Sequence, residues 1–263
     1  MKLKILKFLL LLPILWGWLC VLTGCGEKEN KENREIIYVE GFEDSPKEII
    51  AEVPVETNSP VGALEQRLIE AGLVNIQDLD SSLKVELKYS TEDNFIGIDL
   101  YGELKNCYLQ QKPAQMLVQA QKYLKEIYPE YSLLIYDGAR PLIIQQQLWD
   151  TLDMPAAEKK KYVADPQVGS IHNYGSAVDL TITKADGQPL DMGTPYDFFG
   201  ELAYPSKEKE MLEKGLLTEE QVQNRQILKQ VMRKAGFTPI EYEWWHFNAL
   251  SRKKAKEVYN IIE

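Results

Sequence analysis

The chain has 263 residues, of which 44% are apolar and 27% are charged, so it can bury one sizeable hydrophobic core. Its formal net charge of −10 argues against a broad nucleic-acid-binding surface, and we expect no nucleic-acid partner. Three cysteines, at positions 20, 25 and 107, cannot form a disulfide framework. His172 and His246 are the only histidines, so any reaction that needs imidazole must use them.

The N-terminus is typical of an export signal. Three lysines precede an apolar run from Phe8 to Val21, and the run ends in Leu-Thr-Gly-Cys at positions 22 to 25. This ending resembles a bacterial lipobox, which predicts a signal peptide over residues 1–24 and lipidation of Cys25. An uncleaved membrane anchor is the alternative, since two tryptophans within the run suit an interface. Both interpretations predict an exported chain that is anchored to the membrane outside the cytoplasm.

Residues 25–60 are predicted to be a tether, because they are charged, contain three prolines and hold few large apolar groups. Residues 61–263 are predicted to form the folded domain. Cys107 is then the lone cysteine of that domain. It is interpreted as a small buried hydrophobic residue rather than a nucleophile.

The predicted elements follow in chain order from hydrophobic periodicity and end signals. A helix is expected over 61–73, and the alternation of apolar and charged residues predicts a strand over 83–90. Further predicted elements are a helix over 114–128, a strand over 132–136, a helix over 142–152 and a strand over 177–183. Thr218 begins a helix with a capping box, which ends at Gly236, and an aromatic strand is expected over 241–248. The order favours an α+β fold with a small, largely antiparallel central sheet flanked by helices.

Two segments carry the candidate chemistry. One places His172 on a turn and Asp179 on the following strand, separated by small residues that let the backbone pack closely. The other contains Glu243 and His246 in the run Glu-Trp-Trp-His. Two imidazoles and one carboxylate leave a fourth tetrahedral position open, as in a catalytic zinc site. The same ligands also suit manganese, iron or cobalt.

Glu243 and Arg140 are the candidate catalytic groups. Glu243 is expected to act as general base and acid on a water activated by the metal, and Arg140 to stabilise the tetrahedral oxyanion. Residues 243 and 246 would face opposite sides of a regular strand, so either a bulge or a turn lies between them or Glu243 reaches around the rim, and the sequence alone does not decide between these. Each residue also has a structural interpretation: a hydrogen-bonded core histidine, a salt-bridged arginine, core tryptophans and a solvated helix face over residues 252–256.

The sequence resembles the zinc D-alanyl-D-alanine dipeptidases of the vancomycin-resistance type. The pattern Ser-x-His-x-x-Gly-x-Ala-x-Asp is matched over 170–179, and Glu-x-x-His over 243–246. The segments 87–97, 136–141 and 190–199 extend the resemblance to about residues 80–250. It implies a hedgehog-like zinc D,D-peptidase scaffold, zinc held by His172, Asp179 and His246, Glu243 as base, and Arg140 on the intermediate.

The resemblance further implies that Ser170 and Asp197 gather the ammonium group of the substrate and that Tyr101 joins the pocket wall. The implied partners are D-Ala-D-Ala or cell-wall peptides that end in D-Ala. The predicted export departs from the cytosolic members of the family, and it favours dipeptide scavenging or wall turnover over antibiotic resistance. Two rival hypotheses are a D,D-carboxypeptidase that trims peptidoglycan stem peptides, and a non-catalytic zinc- or peptide-binding lipoprotein.

Overall fold

The structure is a computed structural model that describes residues 62–160 and 162–263. The predicted signal peptide, Cys25 and the predicted tether lie outside the described residues. The α-helices of the described part are α1 (Ala63–Glu70), α2 (Ile76–Leu79), α3 (Gln111–Ile127), α4 (Leu142–Thr151), α5 (Ala156–Lys159), α6 (Glu208–Glu213), α7 (Glu219–Lys234) and α8 (Arg252–Val258). Within this part, no helix combines the length and hydropathy that a membrane span requires.

The strands form two sheets. They are β1 (Val74–Asn75), β2 (Lys84–Val85), β3 (Tyr108–Leu109), β4 (Ser132–Asp137), β5 (Ala177–Thr183), β6 (Thr238–Pro239) and β7 (His246–Asn248). The larger sheet has the order β2-β4-β5-β7-β6, with antiparallel pairing except between β2 and β4, and β1 pairs with β3. The predicted α+β fold with a small, largely antiparallel sheet is therefore confirmed.

The strand β5 is buried along its whole length and separates two environments. Val178, Leu180 and Ile182 belong to the hydrophobic core, which α3 and α7 complete by packing against each other. Asp179 alternates with these residues and therefore lies on the opposite face, where it lines a cavity. The sheet thus places an acid behind a fully apolar layer, and burial of that layer fixes the register of the strand.

Several predicted elements are confirmed with small shifts at their ends. The strand over 177–183 and the helices α3, α4 and α7 lie where the periodicity predicts them. The capping box of α7 is present, since Thr218 Oγ1 accepts from Gln221 N and Gln221 Oε1 accepts from Thr218 N. Cys107 is buried with 1% exposure, as expected of a small hydrophobic residue.

Two strand predictions were too long. The expected strand over 83–90 is reduced to Lys84–Val85, because the chain turns into a 3₁₀ helix at Lys88–Ser90 that carries Tyr89 inward. The Tyr89 side chain is buried and its hydroxyl reaches Asp197 on a distant loop. The aromatic strand over 241–248 forms only at His246–Asn248. In both segments a long-range hydrogen bond, from Tyr89 to Asp197 and from Trp244 to Thr194, outweighs the local alternation.

Candidate metal centre and active site

Three potential metal ligands converge at the centre of the sheet. Asp179 on β5 lies directly opposite His246 on β7, and His172 lies in the 3₁₀ turn just before β5. Asp179 Oδ1 is 2.9 Å from His246 Nδ1 and 3.3 Å from His172 Nε2. All three ligand atoms lie within 4.8 Å of one another, and the side chains are almost fully buried. The residues predicted as ligands are thus brought together by strand register.

In each imidazole one nitrogen, the inner one, faces Asp179, and the other, the outer one, has its own hydrogen-bond acceptor. His172 Nδ1 lies 2.7 Å from the Gly138 carbonyl oxygen, and His246 Nε2 lies 2.9 Å from Asn248 Oδ1. These acceptors favour the tautomers in which the outer nitrogens carry the protons. The inner nitrogens are 3.1 Å apart and then direct lone pairs toward Asp179. Such a donor set fits a divalent cation, which satisfies all three lone pairs at once.

The electrostatics of the cluster favour a bound positive charge. Although burial opposes ionisation, the neighbouring His172 and His246 hold the pKa of Asp179 well below its usual range. Burial lowers the pKa of His246, but its hydrogen bond with Asp179 outweighs this effect and raises that pKa to about 9. A metal cation and a proton therefore compete for the inner nitrogen of His246.

Two glycines allow the backbone to approach this closely. A Cβ at Gly138 would clash with Cys107 Sγ and touch the Tyr108 carbonyl oxygen. Gly138 can therefore pass close to β3 while its own carbonyl oxygen accepts the proton of His172. Gly175 has a positive φ of 59° and ends the turn that carries His172. The glycine of the Ser-x-His-x-x-Gly pattern is thus required by backbone conformation.

Tyr196 holds the second oxygen of the aspartate ligand. Its hydroxyl donates to Asp179 Oδ2 over 3.0 Å, so Asp179 Oδ1 is left to face the imidazoles. The Tyr196 ring packs edge-on against Trp245 and Tyr89. A partner of this kind fixes the orientation of a metal ligand.

Arg140 lines the cavity and is held by two buried side chains. Asp137 Oδ2 accepts from Arg140 Nε at 2.9 Å and from Nη2 at 2.5 Å, and Gln145 Oε1 accepts from Nη1 at 3.0 Å. Burial lowers the pKa of Arg140, but the Asp137 carboxylate outweighs it and raises that pKa well above its usual value. One N–H on each terminal nitrogen is left over for a ligand.

The structure corrects the expectation for Tyr101. Its side chain is only 3% exposed and does not line the cavity. Instead, the Tyr101 hydroxyl donates to Asp137 Oδ1 over 2.7 Å, on the side of Asp137 that faces away from Arg140. Tyr101 therefore acts on the site indirectly. It orients the Asp137 carboxylate, which in turn orients Arg140.

Glu243 precedes β7 and lies in an irregular bend, so the strand parity that separates positions 243 and 246 does not apply. Its Oε2 atom is 3.8 Å from His246 Nδ1, and its side chain retains 29% exposure. Burial raises the pKa of Glu243 above its usual value. Of the alternatives that the sequence left open, the structure shows a bend before His246, and this bend brings a carboxylate to the edge of the metal cluster.

Ser170 and Asp197 also line the cavity, which has a volume of about 200 Å³. The Ser170 hydroxyl accepts from His172 N at 3.3 Å. Asp197 has a positive φ of 56°, and its carboxylate accepts from the Tyr89 hydroxyl at 3.0 Å. Burial, together with the nearby Asp179, raises the pKa of Asp197 well above its usual range. The cavity is small compared with drug-sized sites of about 300–1,000 Å³.

Sequence reasoning missed the residues that support the site: Asp137, Gln145, Tyr196, Asn248 and Arg252. Asp137 stands three positions before Arg140, and Tyr196 directly precedes Asp197, so proximity in sequence was one available signal. Gln145 lies on a helix whose pattern indicates only an apolar face. Arg252 belongs to the run that was interpreted as a solvated helix face, and it lies at the edge of the cavity.

A cluster of two histidines and one aspartate, beside a carboxylate and an arginine in one small cavity, defines a metal-dependent hydrolase centre. The family model described as D-ala-D-ala dipeptidase matches residues 69–262. The chain therefore belongs to the D-ala-D-ala dipeptidase family and is a peptidase.

Relatives with the same description are found in several bacteria. The D-alanyl-D-alanine dipeptidase of Escherichia coli is 31% identical over 175 residues, covering 66% of this chain and 83% of the relative. That of Enterococcus faecalis is 26% identical over 211 residues, covering 73% and 98%. That of Enterococcus faecium is 27% identical over 197 residues, covering 68% and 92%.

Solved structures give more distant matches. The LdcB LD-carboxypeptidase is 22% identical with a TM-score of 0.35, covering 57% of this chain and 63% of its own. VanYB in complex with D-alanine-D-alanine is 16% identical with a TM-score of 0.34, covering 58% and 77%. The family assignment rests on the sequence matches.

Proposed function

We propose that the chain is a zinc-dependent dipeptidase that hydrolyses D-Ala-D-Ala. The family match and the names of its relatives support this substrate. The observation that carries the proposal is the convergence of the three ligands, the Glu243 carboxyl and the Arg140 guanidinium on one cavity. A non-catalytic binding protein would need the ligands but would have no need of a carboxylate base beside them.

His172, Asp179 and His246 would hold the metal, and two nitrogens with one oxygen suit zinc. When bound, zinc lowers the pKa of a water molecule and polarises the carbonyl group of the scissile bond. The other steps are carried out by side chains of the protein. These side chains position the dipeptide, transfer one proton and stabilise the negative charge that develops during attack.

Glu243 is the proposed proton carrier. Its Oε2 atom lies at the edge of the cluster and takes a proton from the attacking water. The same atom then returns the proton to the departing amino group, so that the carboxylate is regenerated. Its raised pKa brings the group closer to neutral pH, which suits a side chain that must both accept and donate.

Arg140 is the proposed oxyanion stabiliser. Its guanidinium is held on two sides by Asp137 and Gln145, so its remaining N–H groups point in a fixed direction. Donors fixed before the reaction stabilise a developing charge without reorganisation during the step. At the N-terminal end of the dipeptide, we propose that Asp197 and Ser170 bind the free ammonium group.

The proposal is tested with the full chain in detergent. We expect hydrolysis of D-Ala-D-Ala, its loss with a chelator and its return with zinc. Glu243→Gln should lower kcat by about 10²- to 10⁴-fold. Zinc content, measured on the same sample, should stay at the wild-type level. Loss of zinc together with activity would show that Glu243 acts as a ligand instead.

A blocked N-acyl-D-Ala-D-Ala peptide separates the rival functions. Cleavage of the free dipeptide alone supports the dipeptidase, because only the dipeptide offers an ammonium group to Asp197. Cleavage of the blocked peptide alone would reassign the chain to the D,D-carboxypeptidases. Zinc binding without cleavage of either substrate would contradict both and favour a binding role.

We propose separately that the protein acts outside the cytoplasm as a lipoprotein anchored through Cys25. The support is the sequence of residues 1–25, with its basic start, apolar run and lipobox-like ending. In cells fed a labelled fatty acid, wild-type protein should carry the label and sediment with membranes. Cys25→Ala should carry none, and a labelled Cys25→Ala protein would contradict the proposal.

A further inference from the structure

The proposed substrate has a carboxylate at one end as well as an ammonium group at the other. This inference rests on the proposed function, because it concerns how the carboxylate is held. The cavity is lined by the acids Asp179, Asp197 and Glu243, each of which repels a carboxylate when ionised. A cation with unoccupied donors would offset this repulsion where that carboxylate lies.

Arg140 and Arg252 are the arginines that line the cavity, and no lysine of the described residues lines it. Arg140 is already balanced, because Asp137 forms a buried ion pair with it and Gln145 takes a further N–H. Its remaining donors lie beside the metal cluster, with Nη2 at 3.7 Å from Asp179 Oδ2. Arg140 is proposed above to act at the scissile bond, so the carboxylate end of the dipeptide needs a different group.

The position and the charge of Arg252 suit the binding of a carboxylate. It is the first residue of α8, and its Nη1 donates to the Gly169 carbonyl oxygen, directly before Ser170. Throughout residues 62–160 and 162–263, no carboxylate forms an ion pair with Arg252. The next charged pair on α8 joins Lys254 to Glu257 and leaves Arg252 out. Its guanidinium is thus fixed at one corner and still offers unused donors.

We propose that Arg252 binds the C-terminal carboxylate of the substrate. A guanidinium offers two parallel N–H groups that match the two oxygens of a carboxylate. The hydrogen bond to Gly169 limits the rotation of the side chain, so less entropy is lost when the carboxylate binds. In this assignment Arg252 binds the carboxylate end and Asp197 the ammonium end, and both residues line the same cavity of about 200 Å³.

This assignment makes the site selective for a free acid. A peptide that continues beyond the second residue, or that ends in an amide, has no charge to offer Arg252. Such a peptide also leaves the guanidinium without its partner, which lowers its affinity relative to the acid. Because Arg252 is exposed, salt should weaken this preference.

The test compares D-Ala-D-Ala with its C-terminal amide in wild type and Arg252→Met. In wild type, kcat/KM should favour the acid. In Arg252→Met we expect KM for the acid to rise about ten- to hundredfold while kcat and the amide reaction change little. The preference of wild type for the acid should also fall at high salt, and the variant should show no such salt effect.

Two further variants separate charge from structure. Lys253→Met removes the neighbouring exposed cation of α8, which does not line the cavity, and it should leave both substrates unaffected. Arg252→Lys should restore part of the preference for the acid. Equal losses on acid and amide in Arg252→Met would show that the residue only holds α8 against Gly169, and would overturn the proposal.

A failure of the proposed function gives a different result. If wild type cleaves neither compound, the dipeptidase proposal fails, and the carboxylate site is then tested by calorimetric titration of the same two compounds. Tighter binding of the acid than of the amide, lost in Arg252→Met, would support the carboxylate site on its own. Equal binding, or no binding of the acid, would overturn it.

Discussion

The metal cluster and the rim of the cavity are built in different ways. The cluster residues Asp179 and His246 lie opposite each other in a strand ladder, and His172 is tied to a neighbouring backbone carbonyl. The rim residues Asp197 and Arg252 lie outside the sheet, on an irregular loop and at the start of a short helix. The rim loop also carries the exposed rings of Phe198 and Phe199.

This difference indicates that the cluster and the rim have separate functions, metal binding and substrate recognition. Ligands that hold a metal must keep their separation to within a few tenths of an ångström, and hydrogen-bonded strands provide that precision. Groups that recognise the ends of a substrate tolerate more movement and can sit on loops. Substitutions in the cluster should therefore change kcat and metal content, whereas those at the rim should change KM and substrate preference.

Removal of the metal should have the largest effect. A chelator should abolish peptidase activity, and zinc should restore it. Because a cation binds only the folded cluster, its removal should also lower the midpoint of thermal unfolding. Glu243→Gln is the control, since it retains the ligands and should show the same thermal shift without activity. Full activity in excess chelator would contradict the metal assignment.

Replacement of Asp137 should have the next largest effect. Asp137→Ala leaves the buried Arg140 without its counter-ion, which should cost about 3–5 kcal/mol of unfolding free energy. Tyr101→Phe removes only the hydroxyl behind Asp137 and should cost about 1 kcal/mol. Urea unfolding measures both. Equal stability of Asp137→Ala and wild type would show that the pair contributes little.

At the rim, Asp197→Asn should raise KM for D-Ala-D-Ala by about ten- to hundredfold. The kcat value should change much less. Because burial raises the pKa of Asp197, lowering the pH neutralises it earlier than an ordinary carboxyl and removes its attraction for the ammonium group. KM of wild type should thus rise as the pH falls. If KM of Asp197→Asn rose in the same way as the pH falls, Asp197 would be excluded as the cause of the rise.

The smallest effect is expected for Tyr196→Phe, which keeps the ring and removes the hydroxyl from Asp179. Partners of metal ligands contribute about 10- to 100-fold in metal affinity, and the lower value is expected for a single neutral hydroxyl. Competition with a chromogenic chelator measures this affinity. At saturating zinc, KM should match wild type. A changed KM with unchanged zinc affinity would place Tyr196 among the substrate-binding groups.

Much of the fold and the site could be predicted from local patterns. The α7 helix has its capping box in sequence, and β5 shows alternation over its full length. The scarcity of histidine pointed to His172 and His246. Strands near 83–90 and 241–248 were predicted too long, because Tyr89 bonds to Asp197 and Trp244 bonds to Thr194, and both partners are distant in sequence. Local alternation contains no information about such partners.

The sequence by itself determined the chemistry of the site, because the types of side chain in its motifs limit which ligands and bases are available. It also determined the family. The tertiary structure alone decided which groups support that chemistry: Asp137 behind Arg140, Tyr196 behind Asp179, and Arg252 at the edge of the cavity. These pairings depend on strand register and on loops that fold back over the sheet, and both are set by burial of the whole core.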